Sequence, residues 1–294
     1  MIDSDLIKLA TGFESNSLCF DGVGVADSKA FESVLTFMDD SKYVSVVNAN
    51  DKVKAVFVRD GEQSLLRGDI CALVVDDPKW YFFTLVNYLA LVKVRSASVI
   101  SAFASIHDSA TIASIGVIVE DDVVIEPGVI VMEDVTIKRG AVIRAGAVLG
   151  VNGFEHKRTS RGMLTVAHDG EVIVEERSEI GPNNTIIKGF SYRNTVIGAD
   201  TKLDALVHYA HGVQSGKRCL IAAAAMLAGH VTLGDNVWVG PKASISNRIS
   251  IGDGAFVTLG SVVVRDVGVG EKVTGNFAVP HAKFIRNLKK SLKE

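Results

Sequence analysis

Several things are scarce in this 294-residue chain, and each scarcity narrows what it can be. Cysteines number 3, and Cys19, Cys71 and Cys219 lie far apart without a Cys-x-x-Cys. An odd, scattered set argues against a disulfide framework or a thiolate zinc site, so the thiols are expected to be reduced and mostly buried. Neither sign of charge dominates: the net charge of -3 gives no polybasic face for nucleic acid or membrane. The longest apolar runs, near Tyr81 to Val92 and Cys219 to Gly229, fall short of the roughly 20 residues that span a bilayer. The start, Met1-Ile2-Asp3-Ser4-Asp5, has no basic stretch leading into an apolar one, so no secretory signal is expected and a cytoplasmic location follows. Aromatic residues make up only 7%. The 48% of hydrophobic residues against 22% charged ones still provide an ample globular core.

Few aromatics with 27 glycines invite a search for repeats, which decide a fold before local propensity does. From Ile197 an inward-type residue recurs every six: Ile197, Leu203, Tyr209, Ser215, Ile221, Leu227, Leu233, Val239, Ile245, Ile251, Val257 and Val263. Only Tyr209 and Ser215 depart from the aliphatic rule. Four places after each sits a small or branched residue, as in Thr201, Val207, Val213, Cys219, Ala225, Val231 and Val237. Val119, Ile125, Val131, Ile137, Ile143 and Leu149 form an earlier block in the same register. A period of six is not helical. It predicts a chain that turns a corner after each short strand, three strands making one 18-residue coil, with successive coils paired as parallel strands about 4.8 Å apart.

The repeat has limits and one gap. Residues 150–171 leave the register and form a loop expected to carry binding groups. Before about residue 98, Ala55-Val56-Phe57-Val58 and Ala72-Leu73-Val74-Val75 read as strands, and Asp77-Pro78 opens a helix running through Leu89. Gly22-Val23-Gly24-Val25 lacks the third glycine of a dinucleotide fingerprint. The expected division is a small α/β domain over 1–98, the coil over 99–280 and a helical tail over 281–294. That tail carries Lys283, Arg286, Lys289, Lys290 and Lys293 against one acid. It is expected to cover the open end of the prism, with a docking surface for an acidic carrier protein as the alternative.

Coil geometry turns spacing into position. Gly229 lies 18 residues beyond His211 and should stack on it, with His230 diagonal to it and Asp204 around the preceding corner. An imidazole oriented by a carboxylate can deprotonate an attacking amine, and a neighbouring glycine N–H can hold an oxyanion, which is the minimum apparatus for acyl transfer. Solvent-facing corner histidines are the competing reading. A zinc hydratase using His208, His211 and His230 is a further one, weakened because His208 and His211 fall on different faces.

Three segments carry a resemblance to the UDP-3-O-acylglucosamine N-acyltransferase family of lipid A biosynthesis. Asp204-Ala205-Leu206-Val207-His208-Tyr209-Ala210-His211 looks like its catalytic segment. Gly150-Val151-Asn152-Gly153-Phe154 looks like its inserted loop, and Leu35-Thr36-Phe37-Met38-Asp39-Asp40-Ser41-Lys42-Tyr43 like its uracil-binding segment. The resemblance implies a mainly β fold, a left-handed parallel β-helix of hexapeptide repeats with a small N-terminal α/β domain and a C-terminal helix. It also implies a homotrimer without bound cofactor or metal. The acyl group would pass from an acyl carrier protein or coenzyme A thioester to the amine of a nucleotide-linked amino sugar, for lipopolysaccharide or surface-glycan synthesis. His211 is then the base, Asp204 its orienting partner and the Gly229 amide the oxyanion donor. Phe37 and Tyr43 would sandwich the nucleobase, with Asp40 where the family usually has Asn. Asn152, Phe154, His208 and His230 would contact substrate. From Gly234 onward, Asp235-Asn236-Val237-Trp238-Val239-Gly240 and Gly275-Asn276-Phe277-Ala278-Val279-Pro280 look equally like sugar acetyltransferases that use acetyl-CoA, such as those of O-antigen synthesis.

Overall fold

The computed structural model describes residues 1–15, 18–275 and 278–291. From Val99 onward the chain winds into a parallel β-helix, as the period of six predicts. Among the described residues the coil has three parallel sheets of eight, nine and eight strands. Lys202 pairs with Leu220, Leu220 with Trp238 and Trp238 with Phe256, each partner 18 residues on. Most strands are two residues long, so one residue faces inward and its neighbour outward.

The corners explain the repeat. After each inward residue the chain makes a tight turn whose second member takes a positive φ, as in Asp200 (60°), Leu206 (61°), Gly212 (63°) and His230 (62°). That is the third position of a type II turn. Residues two places beyond the turn then fall inside: Val213 and Cys219 are fully buried, Ala225 and Val237 almost so. The inward rows form one apolar column along the prism. The two exceptions to the aliphatic rule satisfy their polar atoms locally. The buried Tyr209 donates its hydroxyl to the Val196 carbonyl at 2.7 Å, and the Ser215 hydroxyl accepts from the Gly198 amide at 3.0 Å.

The register breaks twice. Val135 pairs with Val172 across an excursion that contains the hairpin His156–Thr159 and Gly162–Thr165. Val172 then pairs with Thr195, so a second, shorter excursion covers residues 188–194, which the periodicity did not single out.

Ahead of the coil lie α1 (Ser4–Thr11), α2 (Val44–Ala49) and α3 (Pro78–Val92), with a parallel sheet of Gly22–Val23, Val34–Phe37, Val53–Val58 and Cys71–Val74 in sequential order. The expected strands and helix are all present. Asp77 caps α3 by accepting from the Trp80 amide at 3.0 Å, with Pro78 in the first turn. The core of this unit, including Phe57, Phe82 and Leu85, is completed by Val166 and Phe190 from the two excursions. The hairpin is therefore also a strut: the Ser160 amide donates to Asp77 at 2.5 Å, Asn87 bonds the Thr165 carbonyl and the Ala167 amide at 2.8 Å each, and the Arg161 guanidinium lies 3.7 Å over the Trp80 ring.

Two expectations need correction. Cys19 and Cys71 are exposed because they sit at outward strand positions, and only Cys219 is buried. The tail forms α4 (His281–Ser291), but it buries no side chain and leaves Phe284 and Leu288 exposed, so within one chain it does not cover the end of the prism. Lys293, Asn276 and Phe277 lie outside the described residues. Among the described residues no helix is long and apolar enough to cross a membrane.

One ion cluster locks the α/β unit to the coil. The Asp134 carboxylate, 4% exposed, accepts Arg95 at 2.8 Å, Lys93 at 3.1 Å and Lys188 at 3.2 Å. Burial alone would raise its pKa, but Arg95, Lys93 and Lys188 outweigh that and hold it below the usual carboxylate value. Asp134→Ala would strand three cations and is expected to cost about 3–5 kcal/mol, read as a lower urea midpoint. In the native protein the contribution of this carboxylate is complete above the unfolded value near pH 4 and is lost as pH falls through the lower folded value. An unchanged midpoint in Asp134→Ala would remove the lock from the account.

Candidate functional site

A cavity of about 850 Å³ lies between the α/β unit and the coil. Phe37, Asp39, Asp40, Lys42, Tyr43, Lys79 and Phe83 line it from one side, His211, Gly229, His230, Asn247 and Arg248 from the other. The excursions add Glu155, Lys157 and Tyr192.

His211 and Gly229 are stacked on consecutive coils, as their spacing predicts. A β-carbon on Gly229 would stand 2.3 Å from His211 Nε2, so only glycine lets the imidazole lie against the next coil. The Gly229 amide sits at the outward-pointing member of its corner. At the equivalent places the Lys217 and Asp235 amides each donate at 2.8 Å to a carboxylate 18 residues on, Asp235 and Asp253 respectively. At Gly229 the residue one coil on is Asn247, on the cavity wall.

His211 belongs to an aromatic cluster. Its ring centre is 5.2 Å from that of His230, 5.4 Å from His168 and 5.5 Å from Phe190, while Phe190 stacks on His168 at 4.6 Å and on Tyr192 at 5.3 Å. Burial drives the imidazoles toward neutrality: the pKa values of His168 and His230 fall to about 3. That of His211 is also lowered, by burial first, with the Glu155 carboxylate partly offsetting it and Lys157 adding to it. A neutral imidazole is the form that accepts a proton. Glu155 Oε2 is 3.5 Å from His211 Nε2 and also pairs with Lys157, whose ammonium lies 4.7 Å over the Phe83 ring.

The structure therefore brings Phe37, Asp40, Tyr43, His211, Gly229 and His230 to one cavity. Phe37 is fixed against Phe82 and Phe83, with ring centres at 4.7 and 5.3 Å, and Tyr43 stands half exposed. Asp40 caps the turn at Ser41–Tyr43 through the Lys42 amide at 3.0 Å and pairs with the Lys42 ammonium at 2.9 Å.

Four expected residues lie elsewhere. Asp204 is not the partner of His211: one strand back along the chain is one corner away on the prism. It bonds its neighbour's amide, Ala205, at 2.7 Å and lines a separate groove with Arg144, Glu179, Lys202 and Trp238. The carboxylate beside His211 is that of Glu155. His208 faces outward because the adjacent Tyr209 faces inward, which breaks the three-histidine set. Among the described residues no group of three His, Cys, Asp or Glu side chains could hold a metal. Asn152 accepts from the His168 amide at 3.3 Å, supporting the cluster from outside the cavity. Phe154 is 88% exposed, edge-on to His156.

Phe154 to Arg158 alternate outward and inward like a strand, so Glu155 and Lys157 share the cavity face while Phe154 and His156 do not. That alternation was available in the sequence. The approach of His168, Phe190 and Tyr192 was not, because both excursions lie outside the period of six.

Residues 116–150 match the family model described as bacterial transferase hexapeptide (six repeats). The chain is 35% identical over 144 residues to the UDP-3-O-acylglucosamine N-acyltransferase of Caulobacter sp. (strain K31), covering 49% of this chain and 42% of that protein. It is 37% identical over 146 residues to the protein of that name from Methylobacterium nodulans, covering 50% and 41%. The matched region thus spans less than half the length of these relatives. Among solved structures, LpxA from Acinetobacter baumannii aligns with a TM-score of 0.40 and 22% identity over 65% of this chain and 77% of that one.

The buried imidazoles predict an acid-sensitive fold. His168 and His230 gain protons in the unfolded chain near pH 6.5 but in the folded one only near 3. Unfolding below pH 6.5 is then accompanied by proton uptake, and stability falls steadily as pH drops toward 3. Urea titrations at pH 7.5, 6.5, 5.5 and 4.5 should show the decline, with a shallower slope in His168→Asn. A flat profile across that range would contradict the neutral, buried cluster.

Proposed function

We propose that this chain is an N-acyltransferase that moves an acyl group from an acyl carrier protein or coenzyme A thioester to the amine of a nucleotide-linked amino sugar, in lipopolysaccharide or surface-glycan synthesis. The observation that carries the reading is the shared cavity. A neutral imidazole stacked on a glycine faces, across one space, the aromatic residues of the α/β unit. The curated relatives named as UDP-3-O-acylglucosamine N-acyltransferases support the same reading.

In this proposal His211 Nε2 takes a proton from the amine as its nitrogen attacks the thioester carbon. The carbonyl oxygen becomes an oxyanion held by the Gly229 amide. The tetrahedral intermediate collapses, the C–S bond breaks and His211 returns the proton to the leaving thiolate. Phe37 and Tyr43 supply the stacking platform for the nucleobase, so residues 1–98 would act as the nucleotide-binding part and 99–280 as the catalytic part. A homotrimer fits the outward side of the coil, where Leu220, Trp238 and Phe256 form an apolar row with the last two stacked at 5.6 Å. A cytoplasmic location fits the thioester donors.

His211→Ala is expected to lower turnover by about 10²–10⁴ while leaving the melting temperature near the parent value. Gly229→Ala should act in the same direction, because its methyl group would displace the imidazole. Retained turnover in His211→Ala would reject the base assignment. Phe37→Ala should raise KM for the nucleotide sugar by about tenfold or more with little change in kcat, since base stacking contributes about 1–3 kcal/mol. An unchanged KM would move the nucleotide away from this wall.

A further inference from the structure

We propose that Glu155 is the residue that selects an amine acceptor, its carboxylate holding the acceptor's ammonium group beside His211. The proposal rests on the acyl-transfer reading above and extends it by assigning the choice between nitrogen and oxygen acceptors to one side chain.

The geometry leaves the acceptor atom little freedom. A nitrogen that gives its proton to His211 Nε2 has to come within hydrogen-bond reach of it, about 3 Å. Glu155 Oε2 is itself 3.5 Å from Nε2, with its side chain 18% exposed, so an atom placed on Nε2 from the cavity also meets this carboxylate. The other carboxylates of the cavity already have cations of their own: Asp27 faces Arg248 at 3.4 Å, Asp39 faces Lys79 at 2.5 Å and Asp40 faces Lys42 at 2.9 Å. Glu155 has Lys157 on one side. On its other side are only imidazoles kept neutral by burial, which bring no positive charge. A carboxylate offers about four acceptor positions, so the pair with Lys157 leaves room for a second donor.

An amine near neutral pH arrives largely as ammonium, whereas a hydroxyl is uncharged. A charge-assisted hydrogen bond contributes about 1.5–3 kcal/mol, equivalent to about a ten- to hundredfold preference. The bound ammonium must first become a free amine. It gives one proton to His211, which releases it to solvent. The amine then attacks the thioester, the C–N bond forms, the second proton moves to His211, and the C–S bond breaks as that proton passes to the thiolate. No oxidant or other co-reactant is needed.

The test is calorimetric binding to the full-length protein of two matched pairs, UDP-glucosamine against UDP-glucose and dTDP-glucosamine against dTDP-glucose. Within each pair only the 2-amine or 2-hydroxyl differs. Acyl transfer to the amine is measured in parallel. The wild type should prefer the amine about tenfold or more. Glu155→Gln should bring the preference within about twofold while leaving the affinity for the hydroxyl sugar unchanged, and Glu155→Asp should retain part of it. Thermal melting of both variants verifies that they fold. A preference that survives Glu155→Gln overturns the proposal, and so does a wild type that acylates the amine without preferring it in binding. If Glu155→Gln weakens both sugars equally, or lowers turnover without touching the preference, the residue only orients His211 and the proposal fails. Absence of both binding and acyl transfer in the wild type would overturn the acyl-transfer reading, and this proposal with it.

Discussion

The hydrogen bond from each coil to the next is the constraint on which the rest of the molecule depends. A strand two residues long cannot satisfy its backbone alone. It does so only because the next strand of the same face arrives 18 residues later, as in Leu220 beneath Trp238. For that to happen every corner must turn by the same amount, and the corner residues with positive φ supply that constancy. The inward side chains follow as a consequence. An interior fed by three short strands per coil admits Val, Ile, Leu and Ala throughout, and admits Tyr209 only because its hydroxyl reaches a backbone carbonyl.

The functional geometry arises where this regularity is interrupted. His211 and Gly229 are ordinary members of the lattice, placed by its spacing. Their surroundings come from the two excursions, which bring His168, Phe190 and Tyr192 against the imidazole and Glu155 and Lys157 into the cavity. The same excursions complete the core of the α/β unit through Val166 and Phe190. One set of residues thus fixes the position of the nucleotide-facing wall and sets the dielectric surroundings of the proposed base. Burial that would be a liability for a lone histidine keeps His211 in its proton-accepting form.

This division explains how far the sequence could be read. The coil, its register and the stack of His211 on Gly229 were legible because periodicity converts residue number into position. The strands around Phe57 and Leu73 and the capped start of α3 followed from alternation and from Asp77-Pro78. Asp204 misled because its spacing from His211 suggests proximity in one dimension, whereas on a three-sided prism it places a corner between them. Glu155 was quoted within the loop without a role, since nothing in the local pattern tells which way a loop folds back. The tail was read from the need to cover an exposed end, a need that α4 does not meet within one chain.

The uniform pairing of coils also bears on how such a chain can vary in length. Each turn of the prism contacts only the turns directly above and below it, so stability is close to a sum of nearest-neighbour steps. The cavity draws on coil residues between Glu155 and Arg248, while Val99–Ile100 and Val262–Val263 lie several turns away. Whole coils can therefore be gained or lost toward either end without moving His211 relative to Gly229, provided that change comes in steps of 18. A single inserted residue within the cavity-bearing coils would instead invert every inward position of its strand, so indels there are tolerated only inside the two excursions, where the lattice has already been suspended.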